Sequence, residues 1–424
     1  MEQKEVCLVV DGISTGKYYP SQFAKMGYSS IHVRSRSIGL TQNFCPGPND
    51  YKICLENSND LNSLVKSLEN RRIACVVPGS ELGVELAEEL SIALHLPSNP
   101  AGTGSRCRNK FLTGETLREN GIRSAAQGKI KNKEEAYHWI KAYGSWPIVV
   151  KPLDSAGADG FHLCQNADEV MRALDSILGA NNLFGSVNRE ALIQEYLVGD
   201  EYIVNTVSQD ASHYIQSFMI YGKREDANGR LIFETYSLLR PSECPHAEEI
   251  FEYARNVLDV LQIRQGAAHL EIVQTAKGPL LIECNARPHG HSFPEQLMQE
   301  CLGQSQIELT ALALLDPAIF KEKTRAPYRV RKYMMAVHLI SQHEGEVEEI
   351  RFLDNIEKLP SFYLHRIFCQ PGCSIKRTVD LLSSPGDVFL CSENRMQIEE
   401  DLRKIREWET RGIFLCKRCD SSRL

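Results

Sequence analysis

The sequence predicts α/β and α+β character: a small parallel α/β domain first, then a mixed region of helices and antiparallel hairpins. Three observations predict it. Over residues 1–106 short apolar strands alternate with helical segments, the pattern of a parallel sheet with crossover helices. Within that stretch, the Gly/Pro/Ser-rich residues 97–104 read as a linker. Beyond it, strands fall close together in pairs, as hairpins require.

Taken in order, strands are expected at 5–10, 30–33, 51–55 and 73–77, with helices at 19–26, 59–69 and a strongly amphipathic one at 81–94. The turn Pro78-Gly79-Ser80 ends its strand where open α/β sheets place ligands, but no G-x-G-x-x-G fingerprint accompanies it, so a redox dinucleotide site is not expected. A basic helix at 108–120 stops at Gly121. Strand 128–131, helix 133–143, strand 147–151 and helix 167–178 follow. Strands are then expected at 191–196, 201–207, 212–221 and 231–239, a helix at 246–261, and strands at 267–274 and 279–284. Residues 287–315 read as helical, and the remainder as short strands and turns closed by a charged helix.

The 424 residues are 42% hydrophobic, 24% charged and 8% aromatic, which excludes disorder, collagen-like repetition and a disulfide-stapled miniature fold. With 48 Lys+Arg against 55 Asp+Glu the net charge is −7, so no global basic field draws the chain to nucleic acid or an anionic membrane. Aliphatic runs such as 311–315 fall far short of the ~20 residues that a span needs. Asp11 breaks the apolar run 6–10, so no signal peptide is expected and the expected location is cytoplasmic. The 14 cysteines then read as reduced, small apolar side chains. Cys369-x3-Cys373 and Cys416-x2-Cys419 could supply zinc thiolates, but the long segment between them lacks a zinc-ribbon pattern, and the apolar reading is preferred.

Chemistry concentrates in three places. Lys151 ends an apolar strand and leads into a small-residue loop with Ser155, Ala156, Gly157 and Gly160, where an ammonium and backbone N–H groups can close on phosphate; a plain turn is the competing reading. His269 and Glu271 lie on one strand, and Glu283, Asn285 and Arg287 end the next. A hairpin turn at 276–279 sets them side by side. Period-2 alternation sends His269, Glu271 and Val273 to one face, and Leu281, Glu283, Asn285 and Arg287 to one face of the neighbour. Carboxylates and an amide oxygen together suit Mg²⁺ on phosphates, and the arginine suits a transferring phosphoryl group; cross-strand polar pairs on a surface hairpin are the alternative. Third, 194–201 runs from a strand end through a short hinge to Glu201, able to take adenine on the backbone and ribose on a carboxylate, or to be an ordinary solvated turn.

In chain order, Asn109-Lys110, Val150-Lys151-Pro152 with its glycine loop, Gln194-Glu195-Tyr196-Leu197…Gly199-Asp200-Glu201, His269-Leu270-Glu271 and Ile282-Glu283-Cys284-Asn285-Ala286-Arg287 resemble the ATP-grasp ligases over about residues 1–310. The run Lys-Pro-x-Asp-Ser-Ala-Gly-x-Asp-Gly and the Asn-x-Arg-Pro ending are most similar to the L-amino-acid ligases, bacterial dipeptide synthetases and related natural-product amide ligases. Two features depart from that pattern: Ala158 replaces a common Ser or Thr, and His289-Gly290-His291 stands where relatives often carry consecutive glycines.

The resemblance implies a pre-ATP-grasp α/β domain at 1–106, an ATP-grasp fold whose two α+β subdomains (107–190 and 191–310) grip ATP, and a C-terminal region, 311–424, packed on them. It implies Lys110 and Lys151 on the phosphates, the Ser155, Ala156, Gly157 and Gly160 loop closing over them, Glu195, Tyr196 and Leu197 at the adenine, and Glu201 at the ribose. Glu271, Glu283 and Asn285 would hold one or two Mg²⁺ ions, with Mn²⁺ able to substitute. Arg287, with Lys151, would be catalytic. Glu81, His269 and His289 would face substrate; for Glu81 a helix N-terminal acid is the plain alternative, and for His269 a satisfied core histidine. The implied reaction is ATP-dependent ligation of a small carboxylic acid to an amine or amino acid through an acyl phosphate. A related enzyme using bicarbonate or a purine intermediate, and a non-catalytic nucleotide-binding protein, are the alternatives. A homodimer is an assembly that this reading allows; nucleic acid and membrane are not expected partners.

Overall fold

The computed structural model describes residues 5–35, 51, 53–56, 60–154, 160–182, 185–225 and 231–417. The chain begins with β1 (Val6–Val10), α1 (Tyr19–Lys25), β2 (Ser29–Arg34), β3 (Cys54–Glu56), α2 (Leu61–Leu68), β4 (Ile73–Pro78) and α3 (Val84–Ala93). Its four strands form a parallel sheet in the order β3-β2-β1-β4. β1 is apolar and buried throughout because both faces are covered. Val6, Leu8 and Val10 pack with α2 and α3 side chains, and Cys7 and Val9 pack with Tyr19, Phe23, Ile307 and Ala311.

The basic segment forms two helices, not the continuous 108–120 expected: α4 (Thr103–Arg108) and α5 (Lys110–Glu119). Asn109 is extended and its side chain accepts from Phe111 and Leu112 N–H, so this N-cap ends one helix and starts the next. The linker reading likewise gives way to helix at Thr103. Next come β5 (Gln127–Ile130), α6 (Lys133–Tyr143), β6 (Ile148–Pro152), β7 (His162–Cys164), α7 (Ala167–Ile177) and β8 (Ala191–Glu195). They make an antiparallel sheet, β5-β8-β6-β7, in which β7 is a strand not anticipated.

The largest sheet is built from β9 (Asp200–Gln209), β10 (Ser212–Glu225), β11 (Leu231–Leu238), β12 (Gly266–Thr275) and β13 (Gly278–Asn285), with α8 (Ala247–Leu261) packed on it. After β13 the chain runs as a loop over 286–294, then α9 (Glu295–Leu302), α10 (Gln306–Leu315) and α11 (Pro317–Lys323). The helix expected from 287 therefore starts later. Thr15 and Ser14 hydroxyls donate to the carbonyls of His289 and Gly290, which fastens this loop to the first domain. α10 is apolar nearly all round because it is buried between the parallel sheet and β9.

The last region contributes β14 (Tyr333–His338), β15 (Gly345–Ile350), α12 (Leu353–Glu357), β16 (Phe362–Ile367), β17 (Ser374–Ile375), β18 (Gly386–Ser392), α13 (Arg395–Thr410) and β19 (Phe414–Cys416). β14, β18 and β16 continue the large sheet, giving the order β13-β12-β9-β10-β11-β14-β18-β16, while β17-β15-β19 form a small separate one. Cys369, Cys373 and Cys416 are half-buried free thiols and form no close metal-ligand cluster among the described residues; Cys419 lies outside them. No helix among the described residues is long and apolar enough to cross a membrane.

Candidate active site

The floor of the site is the β12–β13 hairpin. Its register pairs His269 with Asn285 and Glu271 with Glu283, then slips so that Ile272 meets Leu281. The slip leaves Ile282 as an extra residue. It turns Leu281 into the apolar core beside Ile272 rather than onto the face of Glu283 and Asn285, as strict alternation had implied. The two carboxylates are therefore directly opposed across neighbouring strands.

Each polar group on this floor is positioned. Tyr221 OH donates to Glu271 Oε1 at 2.6 Å, and His269 Nε2 lies 3.3 Å from the same oxygen. His269 Nδ1 is 2.9 Å from Asn205 Oδ1. Asn285 Nδ2 donates to Glu283 Oε1 at 2.9 Å, which leaves its amide oxygen to face elsewhere. Lys110 enters at the N-terminus of α5, where its N–H donates to Leu153 O and its Nζ sits 3.3 Å from Glu283 Oε2. Lys151 projects from β6 and is buried. Arg287 Nη2 donates to Glu81 Oε2 at 2.8 Å, so Glu81 turns into the cleft instead of serving its own helix end.

Burial and mutual repulsion shape the charges. Burial pushes Glu201 up to about 7, aided by the nearby Glu271 charge and opposed by Lys223. Burial also raises Glu283, more than Lys110 lowers it, with Glu271 and Glu81 adding to the rise. Glu271 resists burial because hydrogen bonds from His269 and Tyr221 hold it down to about 2. Burial, with Lys110 close by, brings Lys151 down to about 8. Burial drives His289 far below the usual imidazole range, so its ring is neutral. Crowded, buried carboxylates with hard oxygens are what a divalent cation relieves, and the donor set of Glu271, Glu283 and Asn285 fits Mg²⁺.

The remaining expected residues are placed as follows. Glu195 ends β8, but its carboxylate is occupied by Ala126 N–H and Tyr143 OH, and its own N–H donates to Ala126 O. Glu201 is paired with Lys223 on the neighbouring strand. His289 is buried, 4.5 Å centroid to centroid from His269 and stacked on Phe293. Gly160 takes a positive φ of 65°. Ser155, Ala156 and Gly157, together with Ala158, lie outside the described residues. Sequence reasoning missed Tyr221 and the pairing of Lys223. The expected strand ends at 221, but the strand continues through Lys223, whose ammonium reaches inward to Glu201. The signal that could have found both is the two-residue spacing of Tyr221 and Lys223, which puts them on one face of a continuing strand.

A parallel domain, an antiparallel cover and a sheet carrying opposed acids define a class of nucleotide-gripping enzymes, and the comparisons agree. The ATP-grasp domain family matches residues 144–294. Dapdiamide A synthase of Enterobacter agglomerans is 32% identical over 418 residues, covering 96% of this chain and 97% of that protein. The fold is shared with the L-amino acid ligase from Bacillus licheniformis, at TM-score 0.75, 17% identity and coverage of 96% and 98% of the two chains. It is shared also with the Aspergillus clavatus carboxyaminoimidazole ribonucleotide synthase complexed with ATP, at TM-score 0.70, 14% identity and coverage of 96% and 99%. The chain belongs to the ATP-grasp carboxylate–amine ligases. It is an ATP-dependent, amide-bond-forming ligase.

Proposed function

We propose that the protein activates a small carboxylic acid as an acyl phosphate and passes the acyl group to the amine of an amino acid, forming a dipeptide-like amide with release of ADP and phosphate. The observation that carries this reading is the convergence of Lys110, Lys151 and Arg287 with the opposed Glu271 and Glu283 on one buried floor.

In the first step a substrate carboxylate oxygen attacks the γ-phosphorus; the new O–P bond forms as the bond to the β-phosphate oxygen breaks, and ADP leaves with that electron pair. Lys110 and Lys151 hold the phosphates, the backbone of Glu195, Tyr196 and Leu197 receives adenine, and Glu201 accepts from the ribose hydroxyls. Glu271, Glu283 and Asn285 are the residues that would hold one or two Mg²⁺ ions, which supply charge neutralisation to the phosphate oxygens when bound. Arg287 stabilises charge on the phosphoryl group in transfer. In the second step the amine nitrogen attacks the acyl carbon, phosphate departs with the C–O electron pair, and the amine's proton passes to the departing phosphate. Arg287 then faces the oxyanion, while His289, whose ring is neutral, and His269 wall the acceptor side. No covalent enzyme nucleophile is required, because positioning and charge stabilisation supply most of the catalysis.

The test is product analysis of ATP turnover with Mg²⁺ against pooled amino acids and small carboxylic acids. ADP and phosphate formed only with a particular acid–amine pair is the expected result. AMP with pyrophosphate would overturn the acyl-phosphate route, and turnover with bicarbonate alone would move the enzyme to the carboxylating branch.

A further inference from the structure

Beside the ligase floor, on the far side of His289, lies a second group of polar side chains that the reaction does not use. His291 comes from the loop after Arg287, His338 ends β14 and Asp387 begins β18. One ligand atom from each lies within 4.8 Å of the other two. His338 Nδ1 is 2.8 Å from Asp387 Oδ1, and His291 Nε2 is 3.8 Å from Asp387 Oδ2.

These side chains are almost wholly enclosed, with exposures of 10%, 4% and 5%. Yet His291 Nε2, the atom that faces Asp387, is buried without a hydrogen-bond partner among the described residues. Buried imidazole nitrogens normally find a partner. The rings of Tyr236 and Phe389 pack against the imidazoles and close the walls. Arg366, a neighbouring cation, spends its Nη atoms on Ser292 O and Tyr18 OH. Burial, reinforced by His338 and Arg366 and opposed by Asp387, keeps the His291 ring neutral, the form that ligates a metal.

We propose that His291, His338 and Asp387 form a site for a borderline transition-metal dication such as Zn²⁺, distinct from the Mg²⁺-type acids of the ligase floor. Two imidazoles and a carboxylate are a common zinc donor set, and bonds of about 2.0–2.2 Å place such ligand atoms roughly 3–3.5 Å apart, close to the spacings here. His338 meets the ion through Nδ1, the nitrogen that faces Asp387, so that Asp387 is itself a ligand. The ion would tie the loop that carries Arg287 to β14 and β18, and so hold the acceptor wall in place.

The test uses the full chain, stripped with a chelator and reloaded with Zn²⁺ or Co²⁺ in the absence of ATP and Mg²⁺. Expected results are retention of stoichiometric Zn²⁺ through gel filtration and a rise in Tm. Zn²⁺ affinity should fall by roughly 100-fold or more in His291→Ala and in Asp387→Asn, since losing a ligand exceeds the ~10–100-fold cost of outer-shell changes. Glu283→Gln should keep it. Circular dichroism identifies any variant that fails to fold, and the Co²⁺ spectrum of the unmutated protein then decides alone: visible d–d bands without a thiolate charge-transfer band support the site. A thiolate band, metal retained by both folded variants, metal lost in Glu283→Gln, or no retention by the unmutated protein would each overturn it.

Discussion

Arg287 and Glu81, 206 positions apart in the chain, meet as a buried ion pair with Nη2 2.8 Å from Oε2. The pair joins the end of the acid-bearing hairpin to the parallel domain and clasps the two walls of the cleft. Burial opposes ionisation of Glu81, and Arg287 together with Lys110 outweighs it, so the carboxyl stays below its ordinary range.

Removing one partner of such a pair leaves a buried charge, which costs about 3–5 kcal/mol. Glu81→Ala and Arg287→Ala should each destabilise the protein toward urea, and the double variant should lose clearly less than their sum. In kinetics, Arg287→Ala should lower kcat by about 10²–10³-fold with little change in ATP affinity, as expected for a group that acts on transition-state charge. Additive unfolding energies would show that the clasp carries no coupling.

Nucleotide binding should be bell-shaped in pH. Glu201, raised to about 7, is protonated below that pH and accepts ribose hydroxyls best above it. Lys151, lowered to about 8, loses its ammonium above that pH, and with it phosphate attraction. Metal-free ADP titrations between pH 6 and 9, on the order of one unit beyond each group, should show both limbs. Glu201→Gln should remove the rising limb and Lys151→Arg the falling one, because guanidinium stays charged. A flat profile in the unmutated protein would refute the assignment.

Glu283→Gln should separate metal from nucleotide. The variant relieves repulsion on the floor, so free ADP should bind at least as well as before, while Mg²⁺-dependent turnover falls by roughly 10³-fold, several kcal/mol of transition-state charge stabilisation. Calorimetry with and without Mg²⁺ checks it; an unchanged Mg²⁺ dependence would remove Glu283 from the ligand set.

Gly199 tests the hinge between β8 and β9. Its φ is 152°, and a Cβ there would come 2.0 Å from Gln274 O. Gly199→Ala must push that backbone aside, at about 1–3 kcal/mol for the strain alone. The variant should lose both thermal stability and ATP affinity, read by Tm and by nucleotide titration, while an alanine tolerated without either loss would show that the hinge can shift freely.

Much of the fold was legible because local rules carried it. Helix α6 matched its expected span, from Asn132 capping its start to Gly144 in the left-handed conformation at its end. The hairpin bearing Glu271 and Glu283 was legible from its turn and from acids set in otherwise apolar strands. The break at Asn109 was missed because an N-cap inside a run of helix formers looks like helix until its φ/ψ is known.

What the sequence by itself determined was the order of strands and helices and the inventory of charged groups, since periodicity, caps and turn residues act over a few neighbours. What only the tertiary structure decided were relationships across distance. The slipped register that opposes Glu271 to Glu283 while burying Leu281, the reach of Lys223 to Glu201, and the burial of α10 between two sheets each depend on which surfaces meet. Desolvation and pairing of charges arise only once those surfaces close. The chain therefore names its chemistry through residue type, and packing decides which of those residues share one dry, electrostatically coupled floor.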